Sequence, residues 1–162
     1  IHLYKSIINN YMINKTSLLL LLFLPQLLFS QIFKEKYITE ANEFCTNWLS
    51  NLNNKSYGKA YNGFHEKVKL NSDSLSSCNA FAQLMGEFGT LNSRKLDTTF
   101  FQSNIEELGD GFYVFIEYTS FYKKIDLCQE YIIVGQNDNL KWKILRYDFS
   151  YANEELNKQD KK

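Results

Sequence analysis

Histidine is scarce in this sequence: two among 162 residues, His2 and His65. A metal centre needs several His, Cys or carboxylate ligands at converging spacing. No such spacing exists, so neither a metal site nor a cofactor is expected. His65, between Phe64 and Glu66-Lys67, reads as a solvated loop residue. Three cysteines, Cys45, Cys78 and Cys128, form no paired motif, and there is no nucleophile elbow or phosphate-binding loop. Net charge is absent too, with 18 basic residues against 18 acidic ones. That balance argues against a broad nucleic-acid-binding surface. Proline occurs once, at Pro25. No internal repeat or low-complexity linker divides the chain.

What is present supports one domain. The hydrophobic fraction of 44% and the aromatic fraction of 16% suffice for a core and argue against disorder away from the termini. From Gly111 to Tyr151 the chain reads as three β-strands, rich in β-branched and aromatic residues. They cover residues 112–122, 127–134 and 140–151. Lys123-Lys124-Ile125-Asp126 and Gly135-Gln136-Asn137-Asp138-Asn139 join them, and turns this short join antiparallel neighbours. In the first strand Val114, Ile116 and Tyr118 share one face, and Tyr113, Phe115 and Phe121 the other. In the third, Trp142 and Ile144 oppose Leu145, Tyr147 and Phe149. Both faces are apolar, whereas a sheet with one wet face alternates more cleanly. This predicts helices over one face and pairing of two copies through the other. The alternative is a monomer whose curvature and chain ends hide that face.

Residues 1–30 read as a signal segment, with the start at Met12. Met12-Ile13-Asn14-Lys15 is a short basic region, Leu18 to Leu24 is apolar, and Leu27-Leu28-Phe29 leads to a small residue, Ser30, before Gln31. The apolar run is shorter than the ~20 residues of a membrane span, and Pro25-Gln26 interrupts it. Cleavage near Ser30 and a secreted or periplasmic location are therefore expected, with an uncleaved anchor as the alternative. No Cys at a cleavage position offers a lipid anchor. A single α+β domain is assigned to residues 31–153. The charged residues 154–162 read as a solvated, dispensable tail.

Three helices are expected ahead of the strands. Over residues 33–53, Tyr37, Ala41, Phe44, Cys45, Trp48, Leu49 and Leu52 recur at helical spacing, and Asn51, Asn53 and Asn54 weaken the pattern. A short helix starts at Ser56, which can cap it, and carries Ala60, Tyr61 and Phe64. A third follows the capping residues Asn71-Ser72-Asp73, with Leu75, Cys78, Phe81, Ala82, Met85 and Phe88 as its buried stripe and Gly89 past its end. Residues 92–102 read as a fourth strand, with Leu96, Thr98 and Phe100 on one face. The fold class is α+β, three N-terminal helices packed on a curved antiparallel sheet of about four strands. Cys45 and Cys78 lie on apolar helix faces and either pair or, as preferred here, stay buried thiols beside Cys128.

Four segments carry a family resemblance. They are Phe88-Gly89-Thr90-Leu91-Asn92-Ser93-Arg94, Gly111-Phe112-Tyr113-Val114 with Tyr118-Thr119-Ser120-Phe121, Glu130-Tyr131-Ile132-Ile133-Val134, and Trp142-Lys143-Ile144-Leu145-Arg146-Tyr147. In order and spacing they resemble domain-of-unknown-function family 4019, over about residues 38–150. Met85 and Arg146 depart from its pattern, standing where an Arg and a Gly are expected. The resemblance implies an exported bacterial protein with a cone-shaped fold similar to nuclear transport factor 2 and the cystatins, and no established activity.

Such a cone implies a pocket between helices and sheet, with Tyr61, Phe81, Tyr113, Phe115 and Tyr131 as lining candidates. Arg94 and Glu130 are charged residues inside the resembling motifs, and a structural ion pair is the stronger expectation for them. The leading reading is a non-catalytic module that binds a small ligand or a protein. The alternative is an enzyme of the ketosteroid-isomerase type, which shares the cone. It needs a carboxylate base, with Glu117 and Asp97 as candidates, and an oxyanion donor such as Tyr118 or Tyr131. A plain structural or interaction domain is the third possibility.

Overall fold

The computed structural model describes residues 31–151. The signal segment of residues 1–30, the last residues of the assigned domain and the tail of 154–162 lie outside the described residues. The chain divides into two compact units, Ile1–Lys36 and Tyr37–Lys162. Of the first, residues 31–36 are described; they are helical and exposed. Everything below concerns the second.

Helical residues 37–53 form α1, which buries Ala41, Cys45, Trp48, Leu49 and Leu52 at the spacing of one helix face. The helix ends in a Schellman motif. Ser56 N donates to Asn51 O at 2.8 Å and Lys55 N to Leu52 O at 3.0 Å, with Lys55 left-handed at φ 59°. Helix α2 (Tyr57–Asn62) follows, with Ser56 at its N-cap position but making no side-chain cap bond. Then comes a single turn, α3 (Glu66–Lys69), beyond the three helices expected. His65 makes this turn: its Nδ1 accepts from Lys67 N at 3.1 Å. Its side chain is 12% exposed, so it is a packed cap and not a solvated loop residue. Burial lowers its pKa from the ordinary value.

Helix α4 (Ser74–Phe88) is capped by Asp73, whose Oδ1 accepts from Ser76 N at 2.9 Å. It stops at Gly89, whose φ of 78° is costly for residues with a Cβ. It buries Phe81, Met85 and Phe88, while Leu75 and Ala82 face outward, so its buried stripe is narrower than the spacing implied.

The sheet is a four-stranded antiparallel meander in chain order, β1 (Leu91–Ile105), β2 (Gly109–Tyr122), β3 (Cys128–Gln136) and β4 (Trp142–Tyr151). Its inner face, toward the helices, takes Val114, Ile116, Tyr118, Ser120 and Tyr122 from β2 and Cys128, Glu130, Ile132 and Val134 from β3. Four register shifts interrupt the simple alternation, three in the β1–β2 pairing and one in β3–β4, and two of them re-aim the side chains that follow. Between Leu96 and Thr98 the register of β1 shifts, so Leu96 pairs with inner Tyr118 while Thr98 and Phe100 pair with outer Glu117 and Phe115. Between Ile133 and Val134 the pairing with β4 shifts as well. That bulge puts Trp142, Ile144, Tyr147, Phe149 and Tyr151 on the same inner face, where strict alternation would split them.

Aromatic rings join the layers. Trp48 meets Phe64 at 5.9 Å, Phe81 at 6.1 Å and Tyr147 at 5.2 Å between centroids, and its Nε1 donates to Ala60 O at 2.8 Å. Phe88 packs on Tyr122, Phe149 and Tyr151 at 4.9, 5.1 and 5.5 Å. The α2–α3 link bonds to the edge of β4, through His65 N to Ile144 O and Ile144 N to Gly63 O, both 2.9 Å.

Candidate functional site

Glu130 stands in the middle of β3, on the inner face, and is fully buried. A buried carboxylate is costly unless each oxygen finds donors. Here both do. Oε2 accepts from Arg94 Nε at 2.6 Å and from the Ser120 hydroxyl. Oε1 accepts from Arg94 Nη2 at 3.0 Å, Tyr122 OH at 3.0 Å and Tyr147 OH at 2.7 Å. Each strand of the sheet contributes: Arg94 from β1, Ser120 and Tyr122 from β2, Glu130 from β3 and Tyr147 from β4. Arg94 pairs with Ser120, and Glu130 stands two residues along β3 from Cys128, the partner of Ser120, so all three side chains share one face. Bidentate geometry makes this pair strong as well as directional.

Burial alone would raise the Glu130 pKa, but the Arg94 hydrogen bonds and charge, helped by Ser120 and Tyr147, outweigh it and hold the carboxyl below its ordinary range. Burial likewise opposes the Arg94 charge and loses to Glu130, so the guanidinium stays ionised. Burial and the Glu130 charge both push Tyr147 well above its usual value. The hydroxyls therefore remain protonated donors. Every group here is locked in one ionisation state, which suits a structural anchor and not a proton shuttle.

Arg94 is also the way out of the core. Its side chain is 12% exposed, and it lines an open groove of about 480 Å³ between α1 and the β1–β2 strands. Thr46, Ser50, Asn53 and Asn54 of α1 and its C-terminal turn form the polar side of the groove. Leu49, Leu91, Leu96 and Tyr118 form its apolar side. Behind this wall Cys45 is fully buried, and burial pushes its thiol up to about 12. Cys128 is pushed up to about 12 for the same first reason, and all three cysteines are free thiols.

The five aromatic residues proposed as pocket lining do not meet in one cavity. Phe81 belongs to the core under α4. Tyr61 lies on α2 and donates to Ser72 O at 3.0 Å. Tyr113, Phe115 and Tyr131 belong to the outer face of the sheet, with Phe115 stacked on Phe100 at 4.8 Å. Glu117 lies on that outer face opposite Tyr131, in a shallow depression shared with Arg146 and Asp148. Asp97 accepts from the Thr119 hydroxyl and lies 3.8 Å from Lys95 Nζ. These two carboxylates are therefore remote from the buried network. Tyr118 faces inward and Tyr131 outward, so Tyr131 is not placed with Tyr118.

Sequence reasoning singled out Arg94 and Glu130 but missed Ser120, Tyr122 and Tyr147 as their partners. The signal was available in part: Ser120 is the polar residue in the inner-face series Val114, Ile116, Tyr118, Tyr122. Among the described residues no cluster of His, Cys, Asp or Glu is arranged to hold a metal, and no helix is long and apolar enough to cross a membrane.

A family model described as "Protein of unknown function (DUF4019)" matches residues 44–147, which include the whole network and every residue lining the groove. No curated protein matches the chain. Among solved structures, that of Aln2 from a Streptomyces species aligns with a TM-score of 0.47 and 8% identity, over 75% of this chain and 93% of that one.

Proposed function

We propose, from the premise that this chain belongs to the DUF4019 family, that it is an exported, non-catalytic module that binds a small ligand in the groove between α1 and β1–β2. One observation carries the reading: the groove ends on an Arg that the core holds rigidly through Glu130. Pre-organised polar groups beside an apolar wall are what a small-molecule site needs. The isomerase-type alternative has less support. Its buried carboxylate would have to be free and near neutral pKa, whereas Glu130 is saturated and held charged, and Glu117 and Asp97 lie on the outer face. A nuclear-transport-factor-2-like arrangement of the α+β layers is part of the same proposal.

The test is a fragment titration of the full chain followed by NMR. Amide shifts are expected to cluster at Ser50, Asn54 and Leu96. A chemically mixed set that leaves these residues unmoved would overturn the reading. Export rests on the pattern Lys15, Leu18–Leu24, Ser30. Mass spectrometry of the chain from its host is expected to find an N-terminus close to Gln31, and intact chain confined to the cytoplasm would exclude it.

A second proposal concerns the outer face of the sheet. Phe100 and Tyr131 are exposed there beside Phe115 and Ile133, with Phe121 exposed farther along β2, and exposed apolar surface of this kind marks an interaction face. We assign it to a second copy of the chain.

A further inference from the structure

The groove's chemistry narrows its ligand, on the premise that the groove is a binding site. Arg94 is the ionised side chain in its lining; the other eight are uncharged and none is acidic. The guanidinium is largely committed. Nε donates to Ser120 Oγ at 3.1 Å and to Glu130, and Nη2 donates to Tyr122 OH at 2.7 Å and to Glu130. Nη1 makes no hydrogen bond to any described residue. It is not one of the buried atoms left without a partner, so it reaches solvent from a side chain that lines the groove.

We infer that the groove takes a small monocarboxylate with an apolar body, its carboxylate accepting from Arg94 Nη1 and its body lying on Leu49, Leu91 and Leu96. Four features select this class. A charged donor strengthens a bond to an anionic acceptor about twofold over a neutral one, so an acid is favoured over its amide. Only one nitrogen is available, so neither a carboxylate nor a phosphate can be gripped by the two-nitrogen fork, and with no second cation in the lining to balance a dianion a monoanion is favoured. The Ser50 hydroxyl and the Asn53 amide supply neutral donors for the second carboxylate oxygen. The apolar wall then excludes water from one side of the contact, which strengthens it.

Calorimetry and NMR on the full chain with octanoate, octanamide and octyl phosphate test the assignment. Octanoate is expected to saturate and to shift Ser50, Asn54 and Leu96. Octanamide is expected to bind about tenfold more weakly, a difference of about 1.4 kcal/mol. Octyl phosphate is expected to bind no better than the amide. Arg94→Met would disturb the core, so the decisive variant is Leu96→Asp. Leu96 is 42% exposed, and the substitution sets a carboxylate in the groove without emptying the interior. It is expected to keep the wild-type melting temperature and to weaken octanoate by tenfold or more while affecting octanamide less. Equal affinity for acid and amide, or octanoate binding unchanged in Leu96→Asp, overturns the inference. If neutral fragments occupy the groove and octanoate does not, the monocarboxylate assignment falls and the groove reading stands. If no compound of any class moves the groove residues, the groove reading itself falls.

Discussion

At the scale of the residue, Glu130 decides how this protein tolerates substitution and acid. Replacing one member of a buried pair strands the other, at a cost of about 3–5 kcal/mol. Arg94→Met and Glu130→Gln are each expected to lower urea-derived stability by an amount in this range. The double variant Arg94→Met/Glu130→Leu is expected to lose less than the two costs together, because no charge is left unpaired. It does not regain wild-type stability, since the hydroxyls of Ser120, Tyr122 and Tyr147 lose their acceptor. The pH dependence has a fixed sign. The folded pKa of Glu130 lies below its unfolded value of about 4.3. Its contribution is therefore whole above roughly pH 4.3 and is lost as pH falls through the folded value. Denaturant midpoints measured from pH 6 down to pH 3 should fall more steeply for the wild type than for the double variant. Parallel curves would contradict this account.

At the scale of the element, close approach matters as much as propensity. Gly63 ends α2 with φ −75°, a conformation open to any residue, so its need for glycine is steric. A Cβ there would run into the Trp48 ring, whose Nε1 would lie 2.9 Å away. Trp48 is fixed by its bond to Ala60 O and by three aromatic neighbours, so it cannot yield. Gly63→Ala is expected to cost about 1–3 kcal/mol by overpacking, read as a lower melting temperature. An unchanged melting temperature would mean that the tryptophan moves freely. The strands of the meander and the ends of α4 were legible in the sequence, because alternation, Asn-rich turns and Asp/Gly caps are local signals. The bulges were not. One extra residue at Asp97 or Leu145 leaves no local mark, and it is the packing of Tyr147 over Trp48 that fixes which face follows. The groove was hidden for a related reason. Asn53 and Asn54 read as weakening the helix, and only the strand beside them makes them the rim of a groove. Arg94 and Glu130 were legible as a charged pair because each is a charged residue inside a segment that carries the family resemblance.

At the scale of the whole molecule, assembly is the open variable that the surface itself addresses. Helices cover the inner face of the sheet, while the outer face shows the parallel stack of Phe100 on Phe115, with Tyr131 exposed nearby and Phe121 exposed farther along β2. Opposite charges are interspersed there, with Glu117 and Asp148 beside Arg146, so two copies facing each other across a two-fold axis can match charge with charge. Light scattering at micromolar concentration is expected to give a dimer mass, and Phe121→Lys combined with Tyr131→Lys a monomer of unchanged fold. A monomer mass for the wild type, constant on concentration, would remove the dimer. The Arg94–Glu130 pair has a consequence in time as well. It joins β1 to β3 across β2, so the β1–β2 hairpin can close with Arg94 still hydrated. The charges leave water only when three strands stand in register, and a one-residue slip would turn them to opposite faces. Interactions completed this late act on the way out of the native state more than on the way in. The pair is thus a brake on unfolding, setting how long a folded molecule lasts once no fresh chain replaces it.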